Sequence, residues 1–188
     1  ESALYSCSAS PNAPSVVLDV FDNEPAIDTR LFEYCWFVTP HIAGHSVEGK
    51  VRGTQMIYEQ ICKHTGQKAT KTLSNFLQSI PPIRVALQHP TATRLSVEDL
   101  INVFHRIYDI SIDDRDMRQS LKKVQTANDN AQSESVSAHF AALRKQYRVR
   151  RECSAHALIV PNNTSKEIMK TFEDLGFSIQ LEKEYEQE

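Results

Sequence analysis

Apolar residues in the first third of the chain alternate between short continuous runs and positions spaced at the helical period. Residues 15–21 form a nearly continuous apolar run, as expected of a parallel strand covered on both faces. Residues 8–14 ahead of it are chain breakers, and residues 1–5 read as the stub of a helix. Asn23-Glu-Pro25 turns the chain, and Asp28 caps a short helix carrying Leu31 and Phe32. Residues 35–38 form the next strand, ended by Pro40. Ser46 opens a long helix with Val47, Val51, Thr54, Tyr58 and Ile61 near a helical repeat, and Gly66 is placed to end it. This alternation predicts a doubly wound α/β unit over residues 1–66, whose signals begin in mid-motif.

Residues 67–81 lack a strong pattern, run into Pro81-Pro82 and read as a linker. A second unit, residues 82–188, opens with Ile83, Val85 and Leu87 alternating as a strand. Ser96 and Asp99 form a capping box before a helix face of Leu100, Ile101, Phe104, Ile107 and Tyr108. Met117, Leu121 and Val124 mark a further helix, the polar residues 125–135 a loop, and Val136, Phe140, Leu143 and Tyr147 another helix. Residues 155–160 form a strand, and Asn162-Asn-Thr164 caps a helix carrying Ile168, Met169, Phe172 and Leu175. Gly176 stops it, and Phe177, Ile179 and Leu181 alternate into a last strand. The order β-α-α-α-β-α-β describes a small α+β domain.

Composition narrows the function classes. The 188 residues are 40% hydrophobic and 24% charged, ordinary for a globular protein of one domain or two small ones. A net charge of -3 leaves no electrostatic footprint for nucleic acid or an acidic membrane surface. No apolar run approaches the ~18 residues of a membrane span. The chain opens without Met and without a charged-then-apolar leader, so no secretory signal and a non-native start are expected. Cys7, Cys35, Cys62 and Cys153 lie far apart without C-x-x-C spacing, the pattern of reduced thiols in a cytoplasmic protein.

Candidate chemistry concentrates in Val17-Leu-Asp-Val-Phe-Asp-Asn-Glu-Pro25 and Thr39-Pro-His-Ile-Ala-Gly44. His41 lies just past a strand end, where α/β sheets place their ligands, and Glu24 leaves the preceding strand in the same crevice. A carboxylate accepting from one imidazole nitrogen fixes the tautomer and leaves the other nitrogen free to exchange a proton. Asp19 either caps the following turn or accepts from an amide of a ligand. Gly44 allows close backbone approach or a positive φ. His41 and His45 are four apart, but the loop between them and the want of a third ligand argue against zinc. Gly49 and Gly53 suit tight helix packing, and the basic residues 148–151 read as a solvated face, with a face toward a phosphate or a partner subunit as the alternative. No G-x-G-x-x-G, P-loop or G-x-S-x-G occurs, so a complete dinucleotide site is absent.

Taken together, Leu18-Asp-Val-Phe-Asp-Asn-Glu-Pro25 and Pro40-His-Ile-Ala-Gly44 resemble the C-terminal catalytic signature of the D-2-hydroxyacid dehydrogenases. Ser46-Val-Glu-Gly-Lys-Val-Arg-Gly-Thr54 narrows the resemblance to the vitamin B6 branch, which carries an extra C-terminal dimerisation domain. The second unit resembles that domain in Ala142-Leu-Arg-Lys-Gln-Tyr147, Arg150-Arg-Glu152 and Asp174-Leu-Gly-Phe177. The fold this implies is the C-terminal part of a Rossmann-like NAD-binding domain followed by a dimerisation domain.

By the same resemblance Asp19 contacts the nicotinamide end of NAD, Glu24 orients His41, and His41 is the proton donor and acceptor. Gly44 lines the cofactor by its backbone, and His45 stands where the family's substrate-contacting residue is usually Tyr. The implied partners are a small phosphorylated hydroxy acid and a second copy of the chain, with no metal, nucleic acid or membrane. The family's glycine-rich loop and substrate-clamping Arg are expected upstream of Glu1. Rival readings are another NAD-dependent D-2-hydroxyacid dehydrogenase and a non-enzymatic dimerisation module.

Overall fold

The computed structural model describes residues 1–8, 13–122 and 129–183. Their order is α1 (Ser2–Ser8), β1 (Val17–Leu18), β2 (Phe37–Val38), α2 (Val47–His64), β3 (Ile83–Arg84), α3 (Val97–His105), α4 (Ile110–Lys122), α5 (Asp129–Lys145), β4 (Ala157–Val160), α6 (Lys166–Asp174) and β5 (Ser178–Leu181). Val124, residues 125–128 of the expected loop and residues 9–12 of the expected breaker segment lie outside the described residues. The rest of that expected loop is helical, because α5 begins at Asp129. Two compact units each combine two stretches of chain, Glu1–His45 with Asp109–Arg148 and Ser46–Tyr108 with Val149–Glu188. They do not coincide with a division by chain order at residues 66 and 82.

In the first unit β1 and β2 pair in parallel, with Leu18 opposite Val38. Expected coverage on both faces of the first strand is not found, since Val17 and Val20 are exposed. The core joins Phe21, Leu31, Phe32 and Val38 to Met117 and Leu121 of α4 and Phe140 of α5. Phe21 meets Phe140 edge-on at 6.1 Å between ring centroids. Two polar side chains of α4 satisfy backbone groups of the strand region. Asp114 Oδ1 accepts the Val38 N–H at 2.8 Å. Arg118 donates to the carbonyls of Phe32 at 2.8 Å and Cys35 at 2.9 Å, at the end of the short 3-10 helix Thr29–Tyr34. Asp28 caps that helix, as its sequence position predicts, by accepting the Arg30 N–H at 3.0 Å.

The second unit is built on a parallel sheet of order β3-β4-β5. Helices connect its strands, so it is α/β in character rather than the α+β arrangement expected. Leu158 and Val160 pack with Val103 of α3 and with Ile168 and Phe172 of α6. Ser165, not the expected Asn162-Asn-Thr164, caps α6 by accepting the Ile168 N–H, and Thr164 instead turns its hydroxyl back to the Pro161 carbonyl. Gly66 and Gly176 follow their helices with φ of 69° and 98°, the left-handed stop their positions predict.

Helix α2 presents a different face from the one its apolar residues predict. Its buried positions are Glu48, Gln55 and Cys62; of the expected face Val47, Val51 and Tyr58 are half-buried, while Thr54 and Ile61 are exposed. A Cβ added at Gly53 would meet nothing within 4 Å, so the tight packing expected there is not found. Polar partners set the orientation. Glu48 accepts from Arg151 Nε with one oxygen and from the Glu152 N–H at 2.9 Å with the other. Ser46 caps the helix through the Gly49 N–H at 2.9 Å and donates its hydroxyl to Glu152 at 2.6 Å. The expected linker lies along the same helix, where Tyr58 accepts the Thr70 N–H and Gln55 donates to the Lys71 carbonyl. Among the described residues no helix is long and apolar enough to cross a membrane.

Burial works against the charge of Glu48, but the Arg151 guanidinium and the Glu152 amide outweigh it and hold the carboxyl below the usual glutamate range. A depressed acid stabilises the fold above its unfolded pKa and loses that contribution as pH falls through its folded one. Glu48→Gln is expected to lower stability at pH 7 by roughly 2–4 kcal/mol in urea unfolding. From about pH 5 down to about pH 3 the variant should lose less stability than the parent, because it has no proton to take up. Equal losses would remove Glu48 from the acid limb.

Candidate active site

Parallel pairing of β1 with β2 puts the first residues beyond each strand, Asp19 and Thr39, side by side at the carboxyl edge. Ligands of open α/β sheets collect at that edge. The Thr39 hydroxyl donates to Asp19 Oδ1 at 2.6 Å. Two backbone amides of the following loop also reach the carboxylate, Ile42 N–H to Oδ1 at 2.7 Å and Ala43 N–H to Oδ2 at 2.9 Å. Asp19 therefore caps the turn of the neighbouring strand rather than its own.

Between those anchors the chain folds into a tight reversal. Pro40 cannot continue a strand ladder. His41 follows in the left-handed region at φ 55°, its N–H bonded to the Thr39 carbonyl at 3.0 Å. For a residue with a Cβ this conformation costs about 1–2 kcal/mol. Hydrogen bonds to a charged acceptor are each worth about 1.5–3 kcal/mol, so the three on Asp19 outweigh it.

Glu24 arrives from the other side. Its Oε1 accepts the Phe21 N–H at 2.9 Å, closing the turn after β1, and its Oε2 lies 2.8 Å from His41 Nδ1. The carboxylate is 17% exposed and the imidazole 43% exposed, so the anchor is shielded while the ring stays accessible. A carboxylate can only accept, so Nδ1 carries the proton and Nε2 is left to exchange one. Such an arrangement can serve as an acid/base pair with its orienting group in place.

Gly44 has no positive φ, so its turn does not require glycine, and a Cβ there would meet nothing within 4 Å. Open space beside the backbone leaves room for a flat ligand at the strand edge. His45 bonds through its N–H to the Ile42 carbonyl at 2.8 Å, and its ring meets Tyr147 edge-on at 6.0 Å. The two histidines thus engage different neighbours, His41 the Glu24 carboxylate and His45 the Tyr147 ring. Thr39 escaped the sequence reading, since its part depends on strand register and only the strand end at Pro40 was legible.

The chain has relatives among known proteins. Residues 82–176 match the family described as a domain of unknown function, DUF3410, and the chain belongs to that family. The chain is also similar to the erythronate-4-phosphate dehydrogenase of Marinobacter nauticus, 34% identical over 170 residues, which is 90% of this chain and 41% of the relative. It is 34% identical to the enzyme of that name from Pseudoalteromonas atlantica over 87% of this chain and 39% of the relative. With that of Acinetobacter baylyi it shares 40% identity over 75% of this chain and 35% of the relative. The chain thus spans well under half the length of these curated relatives.

Asp19→Ala removes the anchor of the His41 loop. It should lower the stability of the chain by about 2 kcal/mol in chemical denaturation. It should also speed amide hydrogen exchange at Ile42 and Ala43, whose N–H groups lose their acceptor. Unchanged protection at both amides would show that the loop holds without Asp19.

Proposed function

We propose that this chain is the C-terminal part of an NAD-dependent erythronate-4-phosphate dehydrogenase acting in the cytoplasm. Residues 1–66 end the Rossmann-like catalytic region, and residues 82–188 form a dimerisation domain that joins two copies. The observation that carries the reading is the Glu24–His41 hydrogen bond at the carboxyl edge of two parallel strands, on a loop pinned by Asp19. The similarity to enzymes of that name over most of the chain supports the same reading.

Residues around His41 fit a nicotinamide. The exposed imidazole and the open space beside Gly44 lie on the loop after β2, and the Asp19 carboxylate at the end of β1 pins that loop at the strand edge. Gly44 would line the cofactor by its backbone, and Asp19 would hold its nicotinamide end. NAD, when bound, accepts the hydride from C2 of 4-phospho-D-erythronate. His41 takes the C2 hydroxyl proton on Nε2 as the carbonyl of 2-oxo-3-hydroxy-4-phosphobutanoate forms. Glu24 keeps Nδ1 as the donor and balances the imidazolium charge that develops across the ring. His45 stands at the position that meets the substrate.

In the full-length enzyme His41→Ala should lower kcat by about 10²–10⁴-fold, the usual contribution of general acid–base catalysis, with NAD affinity nearly unchanged. Glu24→Gln keeps the shape of the anchor and loses its charge, so kcat should fall by less than in His41→Ala. Wild-type turnover in His41→Ala would remove the proposed chemistry. A protein that sediments as a monomer at micromolar concentration would remove the dimer from the reading.

A further inference from the structure

The first compact unit contains a cavity of about 470 Å³ whose lining includes Pro40, next in sequence to His41, and Asp113, His139, Tyr147 and Arg148. Within it a buried carboxylate organises two side chains. Asp113 is 5% exposed. The Tyr147 hydroxyl donates to Asp113 Oδ2 at 2.8 Å, and the Arg148 guanidinium lies 2.7 Å from Oδ1. That guanidinium also sits 5.5 Å from the centroid of the Tyr147 ring. The phenol is thus fixed at its tip by the carboxylate and on its face by the cation.

The cavity does not make a good anion site. Asp113 already neutralises Arg148, and Asp116 on the same wall adds a further negative charge. Its clearer consequence falls on His45. The imidazole meets the fixed phenol at 86° between ring planes, an edge-on geometry that favours one ring orientation. We propose that Tyr147, held by Asp113 and Arg148, is a positioning residue that orients His45 and so sets the affinity for the hydroxy-acid substrate. This rests on the functional reading above, in which position 45 meets substrate. Tyr147 lies far from His45 in the chain, on the segment that follows α5.

A double-mutant cycle in the full-length enzyme tests the proposal. Tyr147→Ala should raise KM for 4-phospho-D-erythronate by about tenfold while kcat stays within about twofold and KM for NAD is unchanged. Tyr147→Phe keeps the ring that faces His45 and guards against a folding defect. It should raise KM by only about threefold, through loss of the bond to Asp113. In a His45→Ala background Tyr147→Ala should add nothing further, because the residue it positions is gone. An equal KM increase in both backgrounds, a fall in kcat at constant KM, or an unchanged KM would overturn the proposal. Those outcomes in an active enzyme overturn this inference alone, whereas a wild-type enzyme that leaves the substrate unoxidised overturns the functional reading as well.

Discussion

The carboxylate of Asp19 is the constraint on which the candidate site depends. It stands at the end of β1 and gathers a hydroxyl and two amides from the loop after β2. That capture holds His41 in a backbone conformation that a residue with a Cβ rarely adopts. Glu24 needs His41 to be there, because its remaining oxygen is already committed to the Phe21 amide. Remove Asp19, and the imidazole has an anchor waiting but no backbone geometry that delivers it. Strain of this kind is commonly found where a side chain must be presented rather than buried.

A second acid does comparable work in the other compact unit. Glu48 and Ser46, in the first turn of α2, are tied to Arg151 and Glu152 across about a hundred positions of sequence. These are the Ser46-Val-Glu and Arg150-Arg-Glu152 segments that carry the family resemblance. Their meeting explains both segments at once: one supplies a buried carboxylate and a cap, the other the cation and amide that satisfy them. A buried carboxylate without those partners would be strongly destabilising, so each segment depends on the other for its place in the fold.

Features decided by neighbours in sequence were legible before the structure. Asp28, Ser46 and Ser96 cap helices, and Gly66 and Gly176 stop them, because each acts within a turn of its own position. The Glu24–His41 pairing was legible for another reason, since two strand ends with a turn between them leave few places for the side chains to go. What the sequence hid depends on distant partners. Asp114 and Arg118 are four apart on α4 and carry no signal of their own in sequence, yet they satisfy backbone groups 76 to 86 positions away. The face of α2 was misjudged because a buried Glu48 with its Arg151 outweighs the apolar stripe of Val47, Thr54 and Ile61. Strand lengths shrank because only residues with a paired neighbour keep the ladder.

Glu24 fixes one tautomer of His41, with the proton on Nδ1 and Nε2 left to exchange one. The tautomer can be read directly from the two ring-nitrogen chemical shifts of His41 in the histidine-labelled chain, measured by NMR at a pH where the ring is neutral. The structure predicts a protonated Nδ1 and a bare Nε2, with that preference lost in Glu24→Ala. A neutral ring that carries its proton on Nε2, or one whose tautomer ratio is the same with and without Glu24, would contradict the account.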